Sequence, residues 1–363
     1  MKYGIALNFI SFLTVYFWWQ GYVETNSTAY CWYYFSNCET LRNFIAHNHQ
    51  YFCGAIACTA IFSIFGFASR RTKVAYWLLL LGLALKFLMF SQDYRLMGNY
   101  HFMHFLVVLF YLFVPNKIKS IYFLIPLFYI AAGFLKINPE WLSGSAMLKE
   151  IFFPKALQYW AFLFVIPLEL LMAPLIYVVP FKSKAWWLII SSFLIFHLIS
   201  WQVVGYFYPI TMFLILSFYF LITAPPQKFT KPIAPALLLI LFALQIFRVF
   251  AYPNSNIDGI GRSFSLNMLD GKPSCLNQVI IRSGTNTILT NYVPETNAPR
   301  IKCDPLIYAA YLNELCHKLA PQTEVDFSLQ TRLQSETHFH DVLNIQNVCA
   351  KKFSVNMLGR VSW

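Results

Sequence analysis

The chain has 363 residues, of which 58% are apolar, 19% are aromatic and only 12% are charged. A soluble globular domain carries about a quarter charged residues, so this composition argues against a soluble protein and predicts a polytopic membrane protein. The net charge of +12 would also suit a nucleic-acid-binding surface. The basic residues are scattered through short loops, however, which argues against nucleic acid as a partner.

Apolar runs long enough to cross a bilayer occur nine times before residue 253. They cover residues 4–19, 51–69, 75–91, 100–115, 121–136, 161–180, 186–203, 206–223 and 234–252. We therefore predict an α-helical transmembrane domain of about nine spans over residues 1–252, followed by a small extracytoplasmic α+β domain over residues 253–363. The first run is not followed by a small-residue cleavage pattern, which predicts a retained helix.

The positive charges predict the orientation in the membrane. Residues 1–252 contain 17 Lys and Arg against 6 Asp and Glu. If the spans alternate, most of these basic residues lie on one side, namely Lys2, Arg70, Arg71, Lys73, Lys117, Lys119, Lys182, Lys184, Lys228 and Lys231. The positive-inside rule then places the N-terminus in the cytoplasm and the C-terminal domain outside.

Titratable residues inside the apolar runs are the first candidates for function, because a charge is costly in the membrane. Lys86 lies in the third run and Glu169 in the sixth, and we expect them to line a polar cavity or to pair with each other. His101 and His104 begin the fourth run and share one helical face. His197 lies in the seventh run, where a lone histidine is most often a hydrogen-bonded core residue.

Lys136 ends the apolar part of the segment FYIAAGFLKINPEWLSGSAM, residues 128–147. Its ammonium group either extends to the lipid headgroups or serves a function at the membrane edge. The small residues 131–133, one turn earlier, allow another helix or a flat ligand to approach the backbone. Asn138 and Pro139 are expected to end the helix just after the lysine.

Alternation of the predicted spans places His101, Lys136 and His197 in one layer near the outer surface of the membrane. After Lys136, residues 143–160 are partly amphipathic, and we expect them to lie along the outer interface. The three side chains and this segment together predict a functional site on the outer side.

The pattern A-G-x-x-K-x-x-x-x-W-x-x-G-x-x-M resembles the corresponding segment of vitamin K-dependent gamma-carboxylases and their bacterial relatives, the HTTM proteins. In this chain it is formed by Ala132, Gly133, Lys136, Trp141, Gly144 and Met147. Three further segments resemble the same family in the same order. They contain Asn99 with His101, then His197 with Gln202 and Pro209, and finally Phe264, Ser265 and Met268.

The resemblance implies an enzyme that uses a reduced naphthoquinone, such as menaquinol or vitamin K hydroquinone, together with O2 and CO2. Lys136 would take the quinol proton, and the oxidised quinol would yield a base strong enough to remove the γ-proton of a glutamate. Carbon dioxide would then add with the help of His101, for which His104 is the alternative. The remaining implied site residues are His197 as a catalytic group and Gly133, Trp141, His104 and Gln202 as quinone contacts.

The implied substrate is a glutamate-containing secreted peptide, and the implied location is a bacterial inner membrane. The C-terminal domain is shorter than in the carboxylases, which leaves a second function open. In this alternative, a non-carboxylating HTTM protein binds a quinone or lipid and acts in the maturation of, or immunity to, a secreted peptide. A transporter would require internal repeats, which the sequence does not contain.

Six cysteines lie in predicted outer regions: Cys31, Cys38, Cys275, Cys303, Cys316 and Cys349. This distribution suits an oxidising compartment, but six cysteines allow fifteen pairings. The family resemblance favours a disulfide from Cys31 or Cys38 to the C-terminal domain. No CxxC spacing occurs, which argues against a metal site.

The C-terminal domain contains short runs of alternating apolar residues separated by glycine-containing turns. These runs predict strands at residues 262–269, 278–282, 287–292 and 324–330. An amphipathic pattern predicts a helix at residues 304–320.

Overall fold

The structure is a computed structural model. It describes residues 1–21, 32, 38–92, 98–145, 152, 154–204, 206–226, 229–252, 254–261, 266, 273–293, 302–356 and 360–362. Within this part of the chain, the first 251 residues are mostly helical and a small β-sheet follows.

The helical part consists of α1 (Lys2–Gly21), α2 (Cys38–Ala68), α3 (Thr72–Ser91), α4 (Asn99–Phe113), α5 (Lys117–Leu135), α6 (Pro139–Leu142), α7 (Lys155–Pro167), α8 (Ala173–Val178), α9 (Lys184–Val204), α10 (Phe207–Leu221) and α11 (Ile233–Ala251). A π turn, Leu168–Met172, joins α7 to α8 into one continuous helical stretch. All nine apolar runs of the sequence therefore fall on helical segments, as predicted.

Five of the described helical stretches are long and apolar enough to cross a membrane. They are Thr40–Ala68, Thr72–Ser91, Lys117–Leu135, Leu157–Val178 and Lys184–Gln202. Shorter apolar helices occupy Asn99–Phe113, Phe207–Leu221 and Ile233–Phe247. Large apolar side chains such as Trp77, Phe65 and Leu188 are exposed on the outside of the bundle, which is compatible with insertion into lipid.

The central helix of the bundle is α5. Of its most apolar window, 67% is buried, against 28–44% for the other four long stretches. It packs against α4, α8, α11 and the π turn. Because α5 carries Lys136 immediately after its last residue, the packing of the bundle brings side chains from several helices to this lysine.

The π turn has a local cause in the sequence. Pro174 lacks an N–H group and its ring conflicts with the carbonyl group four residues earlier, at Leu170, so regular helical hydrogen bonding cannot continue through this point. The backbone widens instead into a π turn, a feature that is frequent at functional sites. The widened turn contains Glu169, which is buried.

The C-terminal region contains a four-stranded antiparallel sheet with the order β2-β1-β3-β4. Its strands are β1 (Ser274–Ser283), β2 (Asn286–Thr290), β3 (Glu324–Arg332) and β4 (His340–Ile345). The other described elements are α12 (Ser255–Asp258), α13 (Pro305–Lys318), a 3-10 turn (Val348–Ala350), β5 (Ser354–Val355) and β6 (Val361–Ser362).

Three of the four predicted strands and the predicted helix are confirmed as β1, β2, β3 and α13. The strand predicted at residues 262–269 lies outside the described residues except for Leu266, which is not in a strand. The core of this region lies between α13 and the sheet, where Tyr308 and Leu312 pack with Val279 and Phe327. Alternate residues of β3 are buried, as expected for a strand with one covered face.

The four cysteines of the C-terminal region form two disulfides, Cys275–Cys303 and Cys316–Cys349. The predicted disulfide from Cys31 or Cys38 to this region is therefore wrong, because its partners are already paired. The reason is proximity: the sheet and α13 bring the Cα atoms of each pair within 5.6 and 5.3 Å. Cys31 and the side chain of Cys38 lie outside the described residues.

Trp32 lies between α1 and α2 and contacts the C-terminal region. The predicted disulfide would have joined the same two parts of the chain. Its indole Nε1 donates a hydrogen bond to the carbonyl oxygen of Phe90, at 3.3 Å. Its ring packs against Leu306 and Ile307 at the start of α13. Trp32 thus contacts the helical bundle through a hydrogen bond and the C-terminal region through apolar packing.

Candidate functional site

Lys136 forms a buried ion pair with Glu169. Its Nζ atom lies 2.5 Å from Glu169 Oε2, and the two side chains are 3% and 1% exposed. The same ammonium group donates to the carbonyl oxygen of Ala132 at 3.4 Å. The interpretation that Lys136 extends to the headgroups is therefore wrong, and so is the expected pairing of Glu169 with Lys86.

Gly133 allows this pair to form. A Cβ atom at this position would lie 2.7 Å from Leu170 Cγ and 3.1 Å from Glu169 Cβ, so the π turn would have to shift away from α5. The absence of a side chain thus lets the π turn approach α5 closely. A helix or a flat ligand was expected to contact this face of small residues. In the structure, the helical stretch that contains the π turn contacts it.

The indole ring of Trp141 lies against the ammonium group of Lys136. Asn138 caps α6, because its Oδ1 atom accepts a hydrogen bond from the Trp141 N–H at 2.9 Å. This cap holds the indole ring with its centre 5.1 Å from Lys136 Nζ, within cation–π range. The indole also stacks on Phe162, with ring centres 3.8 Å apart. Among the described residues, its Nε1 atom has no hydrogen-bond partner.

His197 lies close to the same pair. It is fully buried, and its Nε2 atom is 2.7 Å from the hydroxyl group of Tyr129. Its Nδ1 atom has no partner among the residues that the structure describes. His197 is near enough to Lys136, and Tyr129 to Glu169, for electrostatic interaction. We call Tyr129, Lys136, Glu169 and His197 the Lys136 cluster.

Sequence reasoning did not identify Tyr129 as a site residue. The only available signal was its spacing, since residues seven apart on a helix lie on the same face and Tyr129 precedes Lys136 by seven positions. The chain contains 22 tyrosines, so residue type alone did not distinguish Tyr129 from the others.

A second group of buried polar residues, the Lys86 cluster, contains Lys86, His101 and His104. His104 Nε2 donates to the carbonyl oxygen of Leu7 at 3.0 Å. Its Nδ1 atom is therefore the acceptor for Lys86 Nζ, at 3.1 Å. Among the described residues, Lys86 and His104 lie close enough to His101 to interact with it electrostatically. The cluster thus joins α3 and α4 through the Lys86 amino group and two imidazoles.

Aromatic side chains lie between the two clusters. The ring centre of Tyr208 is 5.5 Å from that of His197 and 6.4 Å from that of Tyr100. Tyr100 in turn lies 4.4 Å from His101. The structure therefore brings Lys136 and His197 together, and a series of ring contacts through Tyr208 and Tyr100 leads from His197 to His101.

Gln202 and Glu140 both anchor neighbouring chain segments. Gln202 Oε1 accepts a hydrogen bond from the backbone N–H of Phe152 at 2.8 Å, so this predicted quinone contact holds the connection before α7. Glu140 is fully buried beside Trp141, and its Oε1 atom accepts from the backbone N–H of Gln334 at 2.6 Å. The C-terminal region therefore contacts the turn that carries Lys136. Sequence reasoning missed Glu140, although it stands next to Trp141.

Comparisons with protein-family models, curated proteins and solved structures find no match to this chain.

The chemistry open to the Lys136 cluster follows from its burial. Transfer of a proton from the ammonium group to Glu169 would convert the ion pair into a neutral amine and a neutral acid, and burial favours uncharged forms. A neutral amine is a base. The pair can therefore receive a proton from an acidic ligand. Among the described residues, no group of three His, Cys, Asp or Glu side chains could hold a metal ion.

Proposed function

We propose that this protein is an integral membrane enzyme in which Lys136 and Glu169 take a proton from a reduced naphthoquinone, as in the vitamin K-dependent gamma-carboxylases. The observation that supports this most is the burial of the ion pair in an apolar bundle. Removing two charges from water offsets most of their mutual attraction, so such a pair adds little to stability. Intramembrane ionisable residues of this kind ordinarily have a function.

The proton path is short. Glu169 first accepts a proton from the Lys136 ammonium group, across the 2.5 Å contact. The neutral amine then takes the hydroxyl proton of the bound quinol, which leaves Lys136 positive and Glu169 protonated. The face of Trp141, 5.1 Å from Nζ, stabilises the restored ammonium group by a cation–π interaction.

The residues around Lys136 fit a quinone. Trp141 Nε1 and His197 Nδ1 are buried and lack a partner among the described residues, and a quinol offers two oxygen atoms for hydrogen bonding. When bound, the reduced naphthoquinone supplies the electrons with which dioxygen is converted into a base strong enough to deprotonate a glutamate side chain. Tyr129 holds His197 in position for this contact through the 2.7 Å hydrogen bond.

The Lys86 cluster suits the carboxylation step. Adding carbon dioxide to a glutamate carbanion produces a second carboxylate, and a hydrogen-bond donor nearby would stabilise it. Lys86 is buried next to His104, and His101 lies on the same helical face as His104. We assign to His101 the role of assisting carbon dioxide addition, and to Lys86 the role of orienting His104 through their hydrogen bond.

We further propose a bacterial inner membrane as the location, with about nine spans, a cytoplasmic N-terminus and the C-terminal region outside. Two disulfides in the C-terminal region suit an oxidising compartment. The hydrogen bond between Glu140 and Gln334 joins the Lys136 turn to that region, which supports an outer position for both. A secreted glutamate-containing peptide would reach the site from this side.

The test is a turnover assay with the purified protein in lipid nanodiscs, a reduced naphthoquinone, oxygen, labelled bicarbonate and a glutamate-rich peptide. The wild type is expected to form quinone epoxide and carboxylated peptide. Lys136→Ala should lower both products by about 10²–10⁴-fold, as for loss of a general base. His101→Ala should retain epoxide formation and lose carboxylation. Lys184→Ala, an exposed lysine at the other end of the helical bundle, is the matched control.

The alternative function is a non-carboxylating protein that binds a quinone or lipid and acts in maturation of, or immunity to, a secreted peptide. The observation that favours it is the ion pair itself, because a lysine that stays protonated against Glu169 is not a base. Wild-type protein that binds naphthoquinone but forms no epoxide with any naphthoquinol would contradict the enzyme and support this alternative.

A further inference from the structure

A cavity of about 850 Å³ lies at the end of the helical bundle opposite Lys136. Its walls are the start of α1, the connection between α4 and α5, and the chain after α10. Because α5 begins at Lys117 and ends at Leu135, the cavity and Lys136 are separated by the length of α5, roughly 28 Å. The cavity therefore has no part in the chemistry proposed above.

The charged residues lining the cavity are all basic. Lys2, Lys117 and Lys119 line it, and none of the described lining residues is Asp or Glu. Of these three lysines, Lys117 donates a hydrogen bond from Nζ to the hydroxyl group of Tyr76 at 3.0 Å. Three lysines around one concave surface create a positive potential that selects an anion.

Most of the remaining lining is apolar or aromatic, and includes Tyr111, Val114, Ile121, Phe218 and Leu221. A site for a small free anion needs no such surface. A ligand with an anionic head and an attached hydrocarbon portion would use both the lysines and the apolar wall.

The rim of the cavity is held in place by the fold. Asn116 has a left-handed backbone conformation, with φ of 54°, which asparagine adopts more readily than most residues. Its side chain exchanges two hydrogen bonds with the side chain of Thr230, at 2.9 and 3.1 Å. The connection that carries Lys117 and Lys119 is thereby fixed to the chain before α11, which holds the backbone of these two lysines at the cavity.

We propose that this cavity, which we call the basic cavity, binds the phosphate-bearing headgroup of an anionic phospholipid. Basic pockets between membrane helices bind such headgroups, and each nearby Lys or Arg contributes about 1 kcal/mol to attraction by an anionic leaflet. The ligand is anchored by Lys2, Lys117 and Lys119, and its glycerol and upper acyl portions lie against Phe218 and Leu221. This site would stabilise the bundle at the end remote from the proton-accepting pair.

The test measures thermal unfolding of the full-length protein in zwitterionic phosphatidylcholine micelles titrated with phosphatidylglycerol. The wild type is expected to show a saturable rise in the unfolding temperature. Lys2→Gln/Lys119→Gln should require about 30-fold more phosphatidylglycerol for half of that rise, about 5-fold for each lost charge. Lys2→Arg/Lys119→Arg keeps both charges and should behave like the wild type.

Lys182→Gln/Lys184→Gln is the matched control, since it removes two basic residues from the same end of the bundle but outside the basic cavity, and Lys182, like Lys119, lies over a phenylalanine ring. An equal loss in this variant would overturn the proposal in favour of general surface charge. If inorganic phosphate raises the unfolding temperature of the wild type as much as phosphatidylglycerol does, the proposal of a lipid ligand is wrong and the site binds a free anion. Comparison of unfolding temperatures in pure phosphatidylcholine shows whether each variant folds.

Discussion

Lys136 and Glu169 are 33 residues apart in sequence, and their side chains meet at 2.5 Å with almost no exposure to solvent. Each group neutralises the other where neither could remain charged alone. Stability and chemistry at this site can therefore be separated by changing one partner or both.

Replacing one partner, as in Lys136→Met or Glu169→Leu, should destabilise the fold by about 3–5 kcal/mol, because the other buried group is left without its partner. The double variant Lys136→Met/Glu169→Leu should recover most of this loss. It should still lack proton-accepting activity in the turnover assay. Unfolding in denaturant, measured for the four proteins, gives the coupling between the two residues. If the double variant loses as much stability as the two single variants together, the two residues are not coupled, and the ion pair does not explain their effects.

Gly133→Ala should destabilise the fold by about 1–3 kcal/mol, because the new Cβ would clash with Leu170 and push the π turn away from α5. The longer distance between Lys136 and Glu169 should also reduce turnover. Gly54→Ala is the matched control, as it lies inside α2 with nothing within 4 Å of the added Cβ. Alanine there should be neutral or stabilise by about 0.5–1 kcal/mol. Thermal unfolding of Gly133→Ala and Gly54→Ala in the same detergent would measure this difference in stability. Equal effects of the two substitutions would show that close packing at Gly133 is not the cause.

Reporter fusions test the proposed topology. A periplasm-specific reporter fused after the last residue, Trp363, should be active, because the C-terminal region is proposed to lie outside. The same reporter placed in the turn between α2 and α3, beside Arg70 and Arg71, should be inactive, since basic loops stay in the cytoplasm. The reverse pattern would invert the orientation, and it would exclude a secreted peptide as the substrate.

The disulfide Cys316–Cys349 joins the end of α13 to the 3-10 turn across 33 residues. Its removal in Cys316→Ser/Cys349→Ser should cost about 3–4 kcal/mol, because the unfolded chain regains the freedom that the crosslink removes. Hydrogen exchange of β3 and β4 in the intact protein measures the loss. Peptide mapping without reduction should recover this pair and Cys275–Cys303. A crosslink from Cys31 or Cys38 to any of the four would contradict the fold.

Stability of the C-terminal sheet should fall in acid. The backbone N–H of Asn347 donates to Asp326, and Arg282 forms an ion pair with the same carboxylate, so the pKa of Asp326 lies below its ordinary value of 3.8. A depressed pKa contributes stability that is present above pH 3.8 and is lost as the pH falls through the folded value. Asp326→Asn should flatten this dependence. Hydrogen exchange of β3 in the wild type and in Asp326→Asn, measured from pH 5 down to below pH 3.8, would test this prediction. The same pH dependence in both proteins would contradict it.

The amino-acid sequence by itself determined the elements of this fold, because their signals are local. Nine apolar runs became helical segments since a long apolar stretch satisfies its backbone internally as a helix. The alternation in residues 324–330 became β3, with alternate side chains buried. The turn after Lys136 was equally local, because Asn138 caps α6 and Pro139 suits its first position.

Only the tertiary structure decided which residues meet. Nothing near Lys136 in sequence indicates Glu169 as its partner, since the contact depends on the close approach that Gly133 permits and on the widening before Pro174. Lys86 met His104 rather than Glu169 because α3 packs beside α4. The C-terminal cysteines paired with each other because the sheet and α13 bring them together, and Trp32 made the link that the predicted disulfide would have made. Such pairings depend on the packing of whole helices, which no local pattern of residues encodes.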